Sequence, residues 1–163
     1  NTATNWLDRF PILEWRWRVP GPLDLAHEKT KREDDFAARV YVMFQFDATH
    51  ASWLEKTRHS LGQKIYGSQI PGHAINYVWT SRTKAGETWT SPYTENAKLV
   101  ALGLGPLKEW KHERVDVAAD YQRLFGAAPP PVLAIAVMSD SDDSCQKTEA
   151  WFAEISLRAR PQP

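Results

Sequence analysis

The chain has 163 residues, and its 20 basic side chains are balanced by 20 acidic ones. That balance removes the basic excess that nucleic-acid binding or a polybasic membrane contact needs, and no apolar run approaches the ~20 residues of a membrane-spanning helix. Because Cys145 is the single cysteine, an internal disulfide is excluded. The length suits one domain, residues 1–163, with a substantial core.

Two segments near the N-terminus alternate between apolar and polar residues. In residues 12–19 the odd positions are apolar, and Glu14, Arg16 and Arg18 occupy even positions between them. In residues 36–46 the even positions are apolar, whereas Arg39 and Tyr41 lie on a mixed face. This period of two predicts strands that each place one face on a core.

The middle of the chain mixes one predicted helix with three further predicted strands. Asp47 and Thr49 are N-cap candidates for a helix over residues 51–66, which has a narrow apolar stripe. Alternating patterns then predict strands at residues 74–80 and 97–104 and a shorter, more exposed strand at residues 110–115.

The C-terminal third predicts a second helix and two strands. Asp116 is a good N-cap for a helix that runs through residue 125, and Gly126 suits its C-terminal cap. Residues 132–138 are all apolar, which predicts a central strand buried on both faces. The alternation in residues 151–157 predicts the last strand.

Strands outnumber helices in this order, and no strict β-α-β alternation occurs. The pattern favours an all-β fold, an antiparallel two-sheet sandwich of the jelly-roll type with two inserted surface helices.

Five runs of sequence occur in an order that resembles a known bacterial family. They are LEWRWRV (residues 13–19), DDFAARVYV (34–42), NYVW (76–79), DYQRLFG (120–126) followed by prolines, and AIAVMSDSD (134–142). Together they resemble the bacterial domain of unknown function 3047, over about residues 11–157.

The resemblance implies an exported protein, periplasmic or secreted, and a jelly-roll sandwich like that of carbohydrate-binding modules. It implies no activity and no catalytic residues. Members of the family have further strand-like sequence before the first run, whereas eleven residues precede Ile12 here. The sandwich is therefore expected to lack one or two N-terminal strands, which would leave a sheet edge for a partner protein. The chain starts at Asn1 rather than Met, as after removal of a leader or in a fragment.

The polar faces of three predicted strands provide the first candidate site. Arginine forks bind carboxylates or phosphates through two parallel hydrogen bonds, and Tyr or Trp rings offer a stacking surface. Most of the eight tryptophans belong in the core, which leaves a minority for stacking on sugars. If the strands are neighbours, one face binds an anionic glycan; the alternative is a lattice of ion pairs without a ligand. The residues concerned are Glu14, Arg16, Arg18, Arg39, Tyr41 and Asn76.

The acidic turn after residue 138 is a candidate calcium site. Asp140, Asp142 and Asp143 are closely spaced carboxylates, the ligand type that Ca²⁺ prefers, although the spacing is not that of an EF-hand. The alternative is a turn capped by its own side chains. Asp34 and Asp35 are expected to pair with Arg16 or Arg39 rather than with a metal. No other cofactor is expected.

Motifs for nucleophilic catalysis are absent from the sequence. Glu14 and Asp140 would suit a glycosidase pair only if the fold placed them ~5–10 Å apart. We therefore expect a non-catalytic, exported glycan-binding module, with an accessory or structural subunit of a larger assembly as the alternative and a glycan-cleaving enzyme last.

Overall fold

A computed structural model describes residues 5–48 and 71–162 of the chain. A short 3-10 turn, Trp6–Asp8, comes before the first strand. The strands and the α-helix of the described residues are β1 (Ile12–Gly21), β2 (Ala38–Phe44), β3 (Ala74–Thr80), β4 (Thr88–Thr90), β5 (Ala97–Leu104), β6 (Leu107–Asp116), α1 (Val117–Phe125), β7 (Val132–Met138) and β8 (Glu149–Arg158).

The strands form two sheets that pack face to face. The three-stranded sheet has the order β6-β1-β8, and the five-stranded sheet has the order β4-β5-β3-β2-β7. Neighbouring strands are antiparallel except β3 and β5, which pair in parallel. The all-β sandwich expected from the strand count is confirmed, while the purely antiparallel form is wrong at this one pair.

The core lies between the sheets and contains the apolar faces of β1 and β2. Trp15 and Trp17 are completely buried, and their rings meet edge to face with centroids 5.3 Å apart. Val40 and Val42 from the facing sheet belong to the same cluster. Each indole removes about 150–250 Å² from water, or roughly 4–6 kcal/mol of gross stabilisation. The period-two alternation of both segments is therefore confirmed as sandwich geometry.

Most of the predicted elements lie where the sequence placed them. Asp116 caps α1 through a hydrogen bond from the Ala119 N–H to its carboxylate, at 2.9 Å. Gly126 adopts the left-handed conformation that ends the helix. The short strand β4 was not predicted, because its three residues fall in a segment rich in Thr and Gly. The helix expected at residues 51–66 lies outside the described residues.

One prediction about strand position is wrong. Residues 132–138 were expected to form a central strand, but among the described residues β7 lies at the edge of its sheet and pairs with β2. An apolar run indicates apolar surroundings and does not specify the number of neighbouring strands. The first strand, β1, lies between β6 and β8, and the expected lack of further N-terminal strands stays a prediction. The jelly-roll topology stays a prediction.

A helix that crosses a membrane must be long and apolar. No helix within residues 5–48 and 71–162 has the length and hydropathy to span a bilayer.

Gly103 of β5 allows a tryptophan of β3 to approach the backbone closely. A Cβ atom at residue 103 would lie 2.3 Å from two ring carbons of Trp79, far inside van der Waals contact. Trp79 is in turn fixed by a 2.8 Å hydrogen bond from its Nε1 to the Gly105 carbonyl.

We expect Gly103→Ala to lower the free energy of unfolding by about 1–3 kcal/mol, because the buried indole has to shift. Gly21→Ala is the matched control, since a Cβ there would meet nothing within 4 Å. Urea unfolding of both variants measures the difference. Equal stability of the two variants would show that the Trp79 ring adjusts without cost.

Candidate functional site

The outer face of the three-stranded sheet displays the charged residues of β1. Glu14 lies opposite Arg114 of β6, and Arg16 lies opposite His112. On the other side Arg18 lies opposite Trp151 of β8. Because the odd residues of β1 are in the core, these even residues point away from it.

Each arginine of β1 lies over a tryptophan. The Arg16 Cζ is 5.6 Å from the centre of the Trp110 ring, and the Arg18 Cζ is 4.5 Å from the centre of the Trp151 ring. Trp110 is on β6 and Trp151 is on β8, so the rings flank the central strand on its two sides. Trp110 remains 40% exposed. We refer to Arg16, Arg18, Trp110 and Trp151 as the Arg–Trp face.

Glu14 is the carboxylate around which the neighbouring cations gather. Its oxygens lie 3.0 Å from Arg114 and 3.8 Å from Arg158. His112 Nε2 is also 3.8 Å away. Glu14 is therefore engaged by an arginine from each of the two neighbouring strands.

The two arginines of β1 keep much of their capacity for a ligand. Arg16 has a 3.5 Å contact with Glu154, but both side chains are well exposed, so the pair is weak. Arg18 has no ion pair or hydrogen bond with any residue in the described part of the chain, and its Nε is buried without a partner. The stacked guanidinium is thus held in place while its charge is unmatched.

Arg39 occupies a different environment on the five-stranded sheet. It is 4% exposed, and Asp140 accepts two hydrogen bonds from it, from Nε at 2.9 Å and from Nη2 at 2.7 Å. The backbone carbonyl of Asp34 accepts a further bond from Nη2. Burial alone would lower the pKa of Arg39, but the hydrogen bonds and charge of Asp140 more than offset it, and the pKa is raised.

Tyr41 and Asn76 are paired residues of neighbouring strands on the same outer face as Arg39. The Tyr41 hydroxyl lies 3.9 Å from the Met138 sulfur, and burial raises the pKa of Tyr41. Asn76 is 3% exposed. Arg39 and Asn76 are buried and Tyr41 is half-buried, so this part of the predicted site has little surface for a ligand.

The predicted convergence of six residues on one face is therefore wrong. Glu14, Arg16 and Arg18 lie outside one sheet, and Arg39, Tyr41 and Asn76 lie outside the other, with the core between them. Alternation shows which face of its own sheet a residue occupies, but it does not show which sheet the strand joins. For the same reason Glu14 and Asp140 do not form a catalytic pair.

The acidic turn contributes to a cluster of carboxylates beside Arg39. Asp35, Asp140 and Asp142 each offer an oxygen, and the three oxygens lie within 4.8 Å of one another. Asp35 accepts hydrogen bonds from the N–H groups of Asp143, at 3.3 Å, and Ser144, at 2.6 Å. The predicted metal set thus keeps two of its members and gains Asp35.

Asp143, which was predicted to be a calcium ligand, is not one of these three carboxylates. Its carboxylate accepts a hydrogen bond from the Tyr93 hydroxyl at 3.3 Å. The expected pairing of the Asp34–Asp35 segment with Arg39 is confirmed for Asp34, whose carboxylate is 3.6 Å from the Arg39 Nη2. Arg39 already supplies positive charge to this cluster, so calcium binding there stays a prediction.

A cavity of about 350 Å³ lies at the end of the sandwich where β2 ends and β3 begins. His73 stacks on Phe125 at 4.2 Å between ring centres, and its Nδ1 is 2.7 Å from the Tyr121 hydroxyl. Burial, followed by the charge of Asp47, raises the pKa of Tyr121 to about 12. The other residues that line the cavity include Lys98 and Asn96.

Sequence reasoning missed Trp110, Trp151, Asp35 and the His73–Tyr121 pair as parts of candidate sites. The strands that carry the two tryptophans were predicted, but the register that brings them beside Arg16 and Arg18 was not. His73 and Tyr121 are 48 residues apart and share no motif. The missing signal in each case was the pairing of distant segments.

The comparison with protein families matches residues 2–156 to a family described as a protein of unknown function (DUF3047). The chain belongs to this family. The match covers both sheets, so the Arg–Trp face, the acidic cluster and the end cavity all lie within the family domain. No curated protein and no solved structure matches the chain.

Arg39 is buried beside carboxylates, whereas Arg18 lies over a tryptophan on the sheet surface. Replacing each by glutamine is therefore expected to change the free energy of unfolding by different amounts. We expect Arg39→Gln to lower the free energy of unfolding by about 3–5 kcal/mol, because it leaves a buried carboxylate without its cation. Arg18→Gln is the matched control, and it removes about 0.5–1 kcal/mol of exposed cation–π contact. Chemical unfolding measures both changes. Similar losses for the two variants would contradict the structural role of Arg39.

Asp34 predicts a pH dependence of stability. Burial, as the largest cause, raises the pKa of Asp34 from 3.8 to about 6, so the folded protein holds this proton more tightly than the unfolded chain. The stability that this group contributes is present below pH 3.8 and is lost as the pH rises to about 6.

Asp34→Asn removes that loss, so we expect the variant to be more stable than the natural chain by about 3 kcal/mol above pH 6 and equal to it below pH 4. Urea unfolding across this range, with chelator present throughout, measures the difference. A gap that does not change with pH would show that Asp34 does not titrate in this way.

The calcium prediction has a direct test in the unfolding temperature. We expect the chelator EDTA to leave it unchanged, because Arg39 already pairs with Asp140 and backbone N–H groups already donate hydrogen bonds to Asp35. Asp142→Asn is the control for any effect of added calcium. A rise on adding calcium that disappears in this variant would contradict the expectation and establish the site.

Proposed function

We propose that this chain is a non-catalytic binding module that takes an anionic glycan on the Arg–Trp face. The observation that carries the proposal is the Arg18 guanidinium, which lies over Trp151 at 4.5 Å and has no carboxylate partner among the described residues. Arg16 repeats the arrangement over Trp110 two residues earlier on the same strand.

The chemistry of this face suits a sugar that carries carboxylate or sulfate groups. A guanidinium donates two parallel hydrogen bonds to such a group, which fixes both its position and its orientation. Alternate residues on a strand lie about 7 Å apart, so Arg16 and Arg18 offer two anion sites along one line. An extended anionic chain would engage both.

The charge balance of the face supports an anionic rather than a neutral ligand. Four arginines lie on or beside it, two on β1 and two on the neighbouring strands, and they face Glu14 and Glu154. The surplus of positive charge is local, because the whole chain is neutral. A local surplus also attracts an anionic partner at long range and makes binding dependent on salt.

The arrangement supports binding rather than cleavage of the glycan. A glycosidase needs one carboxylate as an acid and a second as a base or nucleophile, at a set separation across the scissile bond. On this face Glu14 is held by Arg114 and Arg158, and Glu154 contacts Arg16. Glu14 is therefore engaged by two cations, and Glu154 is an exposed carboxylate with one weak contact to Arg16.

We also propose that the protein acts in the periplasm or after secretion. Support comes from the sequence resemblance to an exported bacterial family. Fractionation of the native host with an antibody to this chain tests the location, and recovery of the protein in the cytoplasmic fraction would contradict it.

Calorimetry with acidic and neutral oligosaccharides of one backbone tests the proposed ligand. The acidic probe is a uronic-acid oligomer, and the neutral probe is the same oligomer with its carboxyl groups reduced to alcohols. We expect the neutral probe to bind at least about tenfold more weakly, a loss of at least ~1.4 kcal/mol. Raising the salt concentration should weaken binding of the acidic probe alone.

Variants connect the binding to the proposed face. We expect Arg18→Gln and Trp151→Ala each to weaken binding of the acidic probe at least about tenfold. Arg82→Gln is the matched control, since Arg82 is an exposed arginine that pairs with Asp24 near the five-stranded sheet. Equal binding by all variants, or equal binding of both probes, would overturn the proposal.

The alternative function is an accessory or structural subunit of a larger assembly. The observation that favours it is β7, an edge strand whose seven residues are apolar and none of which is fully buried. This alternative and the glycan proposal use different surfaces, so each can be tested separately.

A further inference from the structure

β7 combines a fully apolar sequence with incomplete burial. All seven of its residues are at least partly exposed, and Val137 and Met138 are each 43% exposed. Within the described residues its one sheet neighbour is β2, and no described strand pairs with the backbone N–H and C=O groups of its other edge. Such an edge is a template for a further strand.

The other edge strands of the described residues carry features that oppose pairing. β4 has three residues, which is too short to act as a template. β6 is rich in charge, with Lys108, Glu109 and Lys111 in succession around Trp110. β8 contains an irregularity at Glu154, which has a φ of 56°, and charged residues at both ends. β7 has no charge, no proline and no residue of positive φ, and its ladder with β2 shifts register only near the start of the strand, between the pairs of Met43 and Phe44.

We propose that the open edge of β7 pairs antiparallel with β7 of a second copy of this chain. The pairing joins two five-stranded sheets into one continuous sheet across a two-fold axis. Each strand then satisfies the backbone groups of the other, and the exposed side chains of Val137 and Met138 come to lie beside the apolar side chains at the start of the partner's β7.

Charge favours a second copy and an antiparallel direction. β7 has no charged side chain, so self-pairing places no like charges opposite each other. The strand is preceded by Pro129–Pro131 and followed by the acidic turn that contains Asp140 and Asp142. Antiparallel pairing puts each acidic turn beside the prolines of the partner, whereas parallel pairing would bring the two acidic turns together.

The antiparallel arrangement also separates the acidic turns by the length of the strand. Seven residues span about 23 Å, which is well beyond the screening length of about 8 Å at physiological salt. A seven-residue edge buries less surface than a standard interface, so the dimer is expected to dissociate on dilution. This association is independent of the Arg–Trp face, because that face belongs to the other sheet.

Sedimentation velocity across a wide range of protein concentration tests the pairing. We expect the natural chain to change from monomer to dimer between about 1 and about 200 µM. Val137→Lys should raise the dissociation constant at least about tenfold, because a lysine at the interface requires desolvation and lies among the apolar side chains of the partner's β7.

Ile155→Lys is the matched control, because Ile155 of β8 is 42% exposed, almost the same as Val137. It should leave the dissociation constant unchanged. A natural chain that stays monomeric over the whole range overturns the proposal, as does a dimer that Ile155→Lys disrupts and Val137→Lys does not.

Backbone amide hydrogen exchange can be measured on the natural chain, so this test of the interface does not require that the variants fold. We expect backbone amides of residues 132–138 to exchange more slowly at high protein concentration, while those of β8 do not change. Protection that appears in β8 or β6 instead would place the interface at another edge and overturn the assignment to β7.

Discussion

The contact between the two tryptophans of β1 and the facing sheet is the interaction on which the rest of the molecule depends. Trp15 lies 5.7 Å from Tyr77 and Trp17 lies 5.8 Å from Trp79, measured between ring centres, so each indole contacts a residue of β3 across the core. Because these indoles point inward, the charged residues between them must point outward. One packing contact thus joins the sheets and displays the arginines.

The arginines of the two alternating strands have different environments as a result of this geometry. Arg39 is enclosed by Asp34 and Asp140, and it fastens the acidic turn to β2. Arg16 and Arg18 lie on an open face, where tryptophan rings hold the guanidinium groups without neutralising them. A buried arginine with two carboxylates supports the fold, whereas a stacked arginine with an unmatched charge is available to a ligand. The distinction gives the proposed function its physical basis.

The arrangement of sheet edges adds the proposed dimer edge to the same scaffold. β5 pairs with one side of β3 and β2 pairs with the other, so β7, next to β2, is the outermost described strand at that end of the sheet. The three-stranded sheet provides the charged face, and the five-stranded sheet provides the apolar edge. Since the two features lie on different sheets, association through β7 leaves the Arg–Trp face accessible.

The sequence by itself determined the local structure. Alternation in residues 12–19 and 36–46 was enough to predict two strands and the side of each that is buried, because the side-chain period of a strand is a local property. Asp116 and Gly126 were likewise enough to place the ends of α1, since caps act on neighbouring backbone groups. The family was also recognisable from its ordered runs of residues.

The tertiary structure alone decided which strands are neighbours and therefore which side chains meet. Arg16 and Arg39 have equivalent positions in alternating segments, but one faces tryptophans and the other faces aspartates. Trp151 is 133 residues from Arg18 in the sequence and is brought beside it by register alone. Sheet membership and register arise from the packing of the whole chain, so the position of β7 at an edge and the composition of the Arg–Trp face could not be obtained from local patterns.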